Sequence, residues 1–284
     1  MAVNRLRTLG QGGFSLTFLW LLGRNCYIVK CPLKKGHFAL KRWFFHIYRE
    51  VLFFEKYVPK QRKIALPNIV EFTGSALIQQ KVPGVPLTES LYEGLPVSEQ
   101  INIAHQLAEF LAKLHKKTAT KGFSQTHRIF LSPYRSLFDK QVKELYQKYS
   151  LALKKNPSAQ EKGCLCITDW KSSHIFYDKK NKKLGLVDFG LVHFTHPENE
   201  FMWENPIRSH LSLKMLRFMI DEYNRFKKSK PLSLERIKSG LVLWAIREMY
   251  KCYVEDKIPD FNKRKLKKML FDFVAKVEKE FSSQ

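Results

Sequence analysis

The chain has 284 residues, of which 44% are hydrophobic and 22 are phenylalanine, so it is long and apolar enough to fold around one large core or two smaller ones. Fifty lysines and arginines against 26 acidic residues give a formal net charge of +24, which favours anionic partners, while the apolar content argues against a disordered chain. Five cysteines at irregular spacing predict neither a disulfide framework nor a zinc site, and they favour a reducing, cytoplasmic compartment.

The basic residues are spread along the whole chain rather than confined to one tail. No zinc-finger spacing and no RNP-type aromatic strand accompanies them, so no nucleic-acid partner is expected. Two explanations of the charge stay open. The basic clusters are either solvated faces of the protein, or they attract an anionic membrane surface or an anionic substrate.

The first apolar run, FSLTFLWLL, ends at Leu22 and follows Arg5 and Arg7. A basic segment before an apolar run also begins a signal peptide, but glycines interrupt this one and no small-residue cleavage site follows it. No window of the chain reaches the roughly 18 apolar residues that a membrane-spanning helix requires. The run therefore predicts a β-strand in a soluble or peripheral protein.

A glycine-rich turn separates the first two of three predicted strands between Arg7 and Lys30. Its sequence, LGQGGFS, contains Gly10, Gly12 and Gly13. Glycines let a backbone approach phosphates closely and direct N–H groups at them. The motif predicts contact with a nucleotide, although an ordinary hairpin turn is the alternative.

Lys30 ends the third predicted strand, and an amphipathic helix follows it. Apolar residues at helical spacing predict the buried face of this helix: Phe44, Ile47, Tyr48, Val51 and Phe54. Glu50 in the middle of the helix is predicted to pair with Lys30 and to fix it for phosphate contact, with Glu55 as the competing candidate.

Two further short strands, IVEF and SALIQQ, precede the segment VPGVP from Val82 to Pro86. Proline and glycine after an apolar strand predict a linker between an N-terminal lobe, residues 1–84, and a mostly helical C-terminal lobe, residues 85–284. Adenine is expected to bind beside the backbone that includes Gln80. In the C-terminal lobe, His115 is predicted to be a cation at the end of a helix, and the last amphipathic pattern predicts a helix with one apolar side and a basic face.

The segment ITDWKSSHIF and the later segment LGLVDFG contain the candidate catalytic and metal-binding residues. Phosphoryl transfer needs one carboxylate to receive the proton of the acceptor hydroxyl, and a second to hold Mg²⁺ on the nucleotide. Asp169 is predicted to be the first, and Asp188 of the D-F-G triplet the second. Lys171 is predicted to offset charge at the transferred phosphoryl group. His174 stands where kinases usually place asparagine, so a shift of metal preference from Mg²⁺ toward Mn²⁺ is one expected consequence.

The order of LGQGGF, Lys30, Glu50, VPG, D-W-K-S-S-H and D-F-G resembles the protein-kinase-like superfamily. The resemblance implies an α+β, bilobal fold with a small antiparallel-sheet N-lobe, and it implies ATP with Mg²⁺ or Mn²⁺ as cofactors. A long insert before Asp169 and a short segment after D-F-G are similar to the small-molecule branch, which includes aminoglycoside kinases. The histidine in the asparagine place is similar to bacterial lipopolysaccharide-core kinases, which phosphorylate Kdo or heptose on the inner face of the cytoplasmic membrane.

Three functions follow as hypotheses. The first is an ATP-dependent kinase of a hydroxyl on a sugar or small polar acceptor, and one form of this hypothesis has a lipid-linked acceptor and peripheral contact with an anionic membrane. The alternatives are a protein kinase, which D-W-K and LGQGGF favour, and a pseudokinase that binds partners through its basic surface. Ile167, Thr168 and His174 favour the pseudokinase. The sequence does not name the acceptor.

Overall fold

The computed structural model describes residues 4–11, 15–33, 37–58, 63–120, 132–155, 163–168, 170–202, 212–227, 231–254 and 263–282. The chain forms two compact units. The first unit comprises Met1–Pro86 and His174–Val192, and the second comprises Leu87–Ser173 and His193–Gln284. The domain boundary between residues 84 and 85 stays a prediction.

The first half of the chain contains β1 (Asn4–Gln11), β2 (Ser15–Leu22), β3 (Asn25–Pro32), α1 (His37–Leu52) with a π-helical turn at Phe53–Tyr57, β4 (Ile69–Thr73), β5 (Ala76–Gln80), β6 (Val85–Pro86), α2 (Glu89–Glu93) and α3 (Val97–Thr118). The second half contains α4 (Lys140–Lys155), β7 (Cys164–Cys166), β8 (Ile175–Asp178), β9 (Lys183–Leu186), β10 (His193–Thr195), α5 (Leu213–Phe226), α6 (Leu234–Val254) and α7 (Lys263–Phe281). Short 3₁₀ helices lie at Ser132–Leu137, Ser172–His174 and Pro197–Phe201.

The first unit is built on an antiparallel sheet of five strands in the order β1-β2-β3-β5-β4. Two tight connections, at Gly23 and Gly74, join neighbouring strands. A second sheet of three strands has the order β6-β8-β9. The antiparallel sheet of this unit, together with the helices of the second unit, confirms the predicted α+β class.

Helix α1 buries a face that is rotated from the predicted one. Trp43, Ile47 and Val51 are buried and pack with Leu77 of β5. Phe44 and Tyr48, which the apolar pattern placed in the core, are 41% and 46% exposed. Since Trp43 and Phe44 are both large and apolar, periodicity alone could not choose between them. The buried face of α1 is the one that carries Glu50, because the carboxylate of Glu50 must reach Lys30 in the sheet.

The VPGVP segment requires glycine at position 84. Val85 pairs with Tyr177 in the β6–β8 ladder, and this pairing brings the two backbones close together. Gly84 has a φ of +99°, and a Cβ on it would lie 2.5 Å from the backbone carbonyl carbon of Tyr177. Only glycine combines this backbone angle with so close an approach.

The second unit is mainly helical. Helix α3 packs on α5, and α6 packs on both α4 and α7. Strands β7 and β10 form a short antiparallel pair in which Cys166 is opposite His193. The apolar side predicted for α7 is buried at Leu266, Leu270 and Val277, as expected for a packed helix. Among the described residues, no helix has the length and hydropathy of a membrane span.

Glu278 of α7 contacts two other helices, and its contacts predict how the stability of the protein depends on pH. It accepts hydrogen bonds from Lys148 and Tyr149 of α4, and Lys238 of α6 lies 3.4 Å away. Burial raises the pKa of Glu278, but these three partners outweigh burial and lower the pKa to about 2, from an ordinary value of 4.5. The stabilisation is therefore present above the ordinary value and is lost as the pH falls from 4.5 toward 2.

The Glu278→Gln variant should lose about 1 kcal/mol of unfolding free energy near neutral pH, because water screens the ion pairs of this partly exposed side chain. The difference from the wild type should shrink below the ordinary pKa of the carboxyl. Urea unfolding near pH 7 and near pH 3 measures both values. Glu144→Gln, at an exposed position of α4, is the control. An equal loss at both pH values would contradict the assignment.

Candidate active site

A buried ion pair in the first unit joins Lys30 of β3 to Glu50 of α1. The Lys30 Nζ donates to both Glu50 carboxylate oxygens, at 3.0 and 2.8 Å. Gln79 of β5 donates from Nε2 to Glu50 Oε1 at 2.9 Å. Glu50 is fully buried, so this carboxylate would be costly without its donors. The structure therefore selects Glu50 over Glu55 as the partner of Lys30.

Asp188 lies beside the same lysine, directly after β9. Its Oδ1 is 3.7 Å from Lys30 Nζ and 3.6 Å from His46 Nε2, and its Oδ2 is 3.4 Å from His174 Nε2. The backbone of Asp188 has a φ of +65°, in the left-handed region that aspartate tolerates better than most residues. Nitrogen donors therefore approach the carboxylate on two sides, and its side chain is still 32% exposed.

The neighbouring charges in this cluster keep Asp188 and Lys30 ionised. Burial raises the pKa of Asp188, but Lys30, the bond from His46 and the nearby His174 outweigh burial and hold it well below its usual range. Burial lowers the pKa of Lys30, and the carboxylates of Asp188 and Glu50 outweigh that effect, so the pKa is raised. An ammonium group and a partly exposed carboxylate therefore stand together at the end of β9.

Phe189 fixes the backbone that carries Asp188. Its ring is 1% exposed and stacks on Phe53, with the ring centroids 4.3 Å apart, while Phe54 meets it edge-on at 5.3 Å. Gly190 follows, and a Cβ there would lie 2.3 Å from Nε2 of His46. The D-F-G triplet is thus anchored by the end of α1, and the glycine leaves room for the histidine.

The other residues predicted to bind the nucleotide are the three glycines of the glycine-rich turn and Gln80. Gly10 lies in β1 next to an irregularity of the β1–β2 pairing, and Gly12 and Gly13 lie outside the described residues. Gln80 is exposed, and its Oε1 accepts from Asn68 Nδ2 at 2.8 Å, so it does not join the Lys30 cluster. Its neighbour Gln79 does.

The predicted catalytic aspartate, Asp169, also lies outside the described residues, but its neighbours in the second unit are held on both sides. Ile167 donates its backbone N–H to both carboxylate oxygens of Glu200, at 3.1 and 2.8 Å. Trp170 donates from Nε1 to Glu200 Oε1 at 2.6 Å. The Oγ1 of Thr168 is 3.2 Å from Nδ1 of His193. Lys171 is half-buried in the same unit.

Glu200 is buried in the 3₁₀ turn at Pro197–Phe201 and receives a third donor from His115. His115, predicted to be a helix-terminal cation, lies in the last turn of α3 and is 1% exposed, and its Nε2 is 3.2 Å from Glu200 Oε2. Its Nδ1 is 2.8 Å from the hydroxyl of Tyr223. Burial lowers the pKa of His115, but Cys164 and Glu200 outweigh burial and raise it to about 9. The sequence did not reveal that this residue is buried, because the end of α3 packs against α5 rather than facing water.

Cys164 and Cys166 complete this buried group. Their Sγ atoms are 3.7 Å apart, and Cys166 Sγ is 3.7 Å from His115 Nε2. Burial raises the pKa of Cys164, but the bond with Cys166 and the nearby His115 lower it to about 6. Cysteine spacing alone could not reveal this cluster, because the histidine comes from α3.

Removing the charge of Glu200 should disturb the loop that contains Asp169. In Glu200→Gln, the amide nitrogen of the new side chain would face N–H donors, so about 3 kcal/mol of unfolding free energy and a large part of the turnover rate should be lost. Urea unfolding and steady-state kinetics measure the two effects. Glu222→Gln is the matched control, because Glu222 is also buried and accepts from His105 and Arg225. An equal loss of turnover in both variants would contradict a specific role in the loop.

No prediction from the sequence included His46, Gln79 or Glu200. Neither His46 nor Gln79 belongs to a motif, and both join the site only because α1 and β5 flank β3. Glu200 had one signal: it stands in the segment HPENEF, which begins six residues after the glycine of D-F-G.

Comparison with known proteins decides the family. The sequence profile of the phosphotransferase enzyme family (APH) matches residues 6–203. The chain belongs to this family. Phosphotransferases of this family are ATP-dependent kinases of hydroxyl groups, and this chain is one of them, which argues against the pseudokinase alternative.

Solved structures of aminoglycoside phosphotransferases share the fold. ADP-bound APH(2'')-Ib is 18% identical, with a TM-score of 0.62, over 98% of this chain and 95% of that one. The GDP and kanamycin complex of APH(2'')-IIIa is 14% identical, with a TM-score of 0.67, over 98% and 94%. The complex of APH(4)-Ia with AMP-PNP and hygromycin B is 16% identical, with a TM-score of 0.61, over 96% and 94%. The phosphotransferase thus shares the fold of aminoglycoside phosphotransferases.

Proposed function

We propose that this phosphotransferase moves the γ-phosphoryl group of ATP to a sugar hydroxyl of an anionic, lipid-linked acceptor of the lipopolysaccharide-core type. The observation that supports nucleotide binding is the Lys30–Glu50 pair with Asp188 beside it. Lys30 Nζ is 2.8 Å from Glu50 Oε2 and 3.7 Å from Asp188 Oδ1. In phosphoryl transfer, a lysine held by a glutamate binds nucleotide phosphates, and a neighbouring aspartate holds the divalent cation.

The residues of the cluster fit a divalent cation. Asp188 offers carboxylate oxygens, which Mg²⁺ prefers, and its partial exposure leaves room for phosphate oxygens and water. His174 adds an imidazole nitrogen, which suits Mn²⁺ better than Mg²⁺. When bound, the cation would offset the negative charge of the nucleotide phosphates.

Asp169 would accept the proton of the acceptor hydroxyl, and Lys171 would offset the charge that develops on the transferred phosphoryl group. The bonds from Ile167 and Trp170 to Glu200 support this assignment, since they restrain the chain on both sides of Asp169. Lys30, restrained by Glu50 and Gln79, would contact the α- and β-phosphates.

The charge of the protein favours an anionic acceptor over an aminoglycoside. Aminoglycosides are polycations, and a chain with a net charge of +24 repels them at long range, whereas it attracts phosphorylated or carboxylated sugars. His174 in the asparagine place, which is similar to lipopolysaccharide-core kinases, supports the same choice.

An exposed surface of α1 supports contact with an anionic membrane. Phe44, Phe45 and Tyr48 are 41%, 53% and 46% exposed, and the exposed Lys41 and Arg49 lie on the same helix. Aromatic side chains interleaved with basic ones are typical of helices that lie in a membrane interface. Phe45→Ser should weaken sedimentation with phosphatidylglycerol vesicles. Val97→Ser, at a position that is 56% exposed in the second unit, should not.

An acceptor screen tests the function. Phosphate transfer from labelled ATP is measured with Kdo₂–lipid A, a heptose-containing core oligosaccharide, kanamycin and a generic basic protein as acceptors. Transfer to either core acceptor, with little to the others, is the expected result. Preferential transfer to kanamycin would replace the proposed acceptor by an aminoglycoside, and transfer to the protein would favour the protein-kinase alternative.

His174→Asn should move the metal preference toward Mg²⁺. An amide oxygen replaces an imidazole nitrogen beside Asp188, and Mg²⁺ binds oxygen in preference to nitrogen. The ratio of turnover with Mg²⁺ to turnover with Mn²⁺ is expected to rise several-fold. His105→Asn, in the second unit, is the control. An unchanged ratio would show that His174 does not bind the metal.

A further inference from the structure

The buried group formed by His115, Cys164, Cys166 and Glu200 lies in the second unit, outside the machinery that binds the nucleotide. His115 comes from α3, both cysteines from β7, and Glu200 from the 3₁₀ turn after β10. The four residues are between 0% and 2% exposed. Their donor set is one imidazole nitrogen, two sulfurs and a carboxylate oxygen, and each of these atom types binds zinc in proteins.

We propose that these four residues bind one zinc ion as a closed, structural site.

Three of the separations among the donor atoms agree with tetrahedral zinc, while Glu200 lies outside the compact group formed by the histidine and the two cysteines. Ligand distances of about 2.3 Å for sulfur and 2.0–2.1 Å for nitrogen place two sulfurs roughly 3.8 Å apart, and sulfur and nitrogen roughly 3.6 Å apart. In the protein, the two Sγ atoms are 3.7 Å apart, and Cys166 Sγ is 3.7 Å from His115 Nε2. His115 Nε2 and Glu200 Oε2 are 3.2 Å apart, close to the roughly 3.4 Å expected for nitrogen and oxygen ligands. The ligand atoms of the histidine and both cysteines lie within 4.8 Å of one another.

The surroundings also suit a metal. The Nδ1 of His115 is 2.8 Å from the Tyr223 hydroxyl, so its N–H can donate there while Nε2 faces the ion. A hydrogen bond from the second ring nitrogen is the usual way in which proteins orient a metal-binding histidine. Glu200 can bind through Oε2 and still accept from Ile167 and, through Oε1, from Trp170.

A site with four protein ligands leaves no position for substrate, so its role is to fix structure. Cys166 is followed directly by Ile167, and Glu200 bonds to both Ile167 and Trp170. The ion would therefore fix the strand and the turn that restrain the Asp169 loop. Because the ligands are buried, the metal would enter as the chain folds.

The test uses the full chain, expressed without a histidine tag and purified under reducing conditions. Zinc per chain is measured by elemental analysis in the wild type, Cys166→Ser, Cys164→Ser and Cys252→Ser. Cys252 is the matched control, because it is a buried free cysteine of α6. About one zinc per chain is expected in the wild type and in Cys252→Ser, and a loss in the other two variants. Equal zinc content in all four proteins would overturn the proposal.

A second measurement does not depend on the folding of any variant. The wild type is unfolded with a chelator and refolded with Co²⁺, and its absorption spectrum is recorded. Thiolate-to-cobalt charge transfer with intense tetrahedral d–d bands is the expected result. A refolded protein without these bands, or a Cys164–Cys166 disulfide in the reduced preparation, would overturn the proposal, and the cluster would then be a metal-free thiol–imidazole pair.

Discussion

Replacing Asp169 by asparagine should lower the rate of phosphoryl transfer by about a thousand-fold and leave nucleotide affinity within about twofold of the wild type. A carboxylate can receive the proton of the acceptor hydroxyl as the new bond to phosphorus forms, whereas an amide cannot. In the proposed mechanism the nucleotide is held by other residues, Lys30 and Asp188, so its binding should be spared.

Two measurements on the Asp169→Asn variant separate chemistry from binding. Turnover is measured with saturating ATP and acceptor, and nucleotide affinity by titration of the same preparation. Asp272→Asn, at an exposed position of α7, controls for the loss of an acidic residue in the second unit. Turnover close to the wild-type value would show that Asp169 takes no part in phosphoryl transfer. Loss of both turnover and nucleotide affinity would indicate a structural role instead.

Replacing Asp188 by asparagine should abolish the metal-dependent stabilisation of the protein by ATP. In the wild type, ATP with Mg²⁺ or Mn²⁺ at about a hundred times its dissociation constant should add roughly 2.7 kcal/mol to the unfolding free energy. For a chain of this size, the unfolding temperature should rise by several degrees. Asparagine keeps the size of the side chain and tolerates the positive φ of this position, so the change removes the charge with little strain.

Thermal unfolding with ATP alone, with ATP and Mg²⁺, and with ATP and Mn²⁺ measures this prediction. Glu71→Gln, at an exposed position of β4, is the control in the same unit and should keep the wild-type shift. A full metal-dependent shift in Asp188→Asn would assign the cation to other ligands. A wild type that responds to ATP equally with and without metal would contradict the metal role of the whole cluster.

The antiparallel strands, the helix after Lys30 and the D-F-G triplet could be predicted from the sequence because each depends on local chemistry. Glycines between apolar runs specify tight connections, and a helical apolar pattern specifies a helix wherever it packs. The pairing of Lys30 with Glu50 was also predictable, although Glu55 could not be excluded. Only the fold brings Glu50 to Lys30, with Gln79 as a further donor.

The sequence indicated the type of each side chain but not its environment. Phe44 and Tyr48 have the right polarity for a core, yet the face of α1 is chosen by where Glu50 must lie. Gln80 and Gln79 are adjacent and identical, and the alternation of β5 alone decides that Gln79 points to the buried pair. His115 ends a helix, as expected, but α5 covers that end.

The sequence by itself determined the family, the order of strands and helices, and the candidate residues for phosphoryl transfer, since these follow from motifs and short-range patterns. The tertiary structure decided which side chains meet. His46 and His174 reach Asp188, and Glu200 reaches His115 and both sides of the Asp169 loop. Such contacts join residues that are far apart in the chain, and no local pattern records them, because they depend on how separate elements pack.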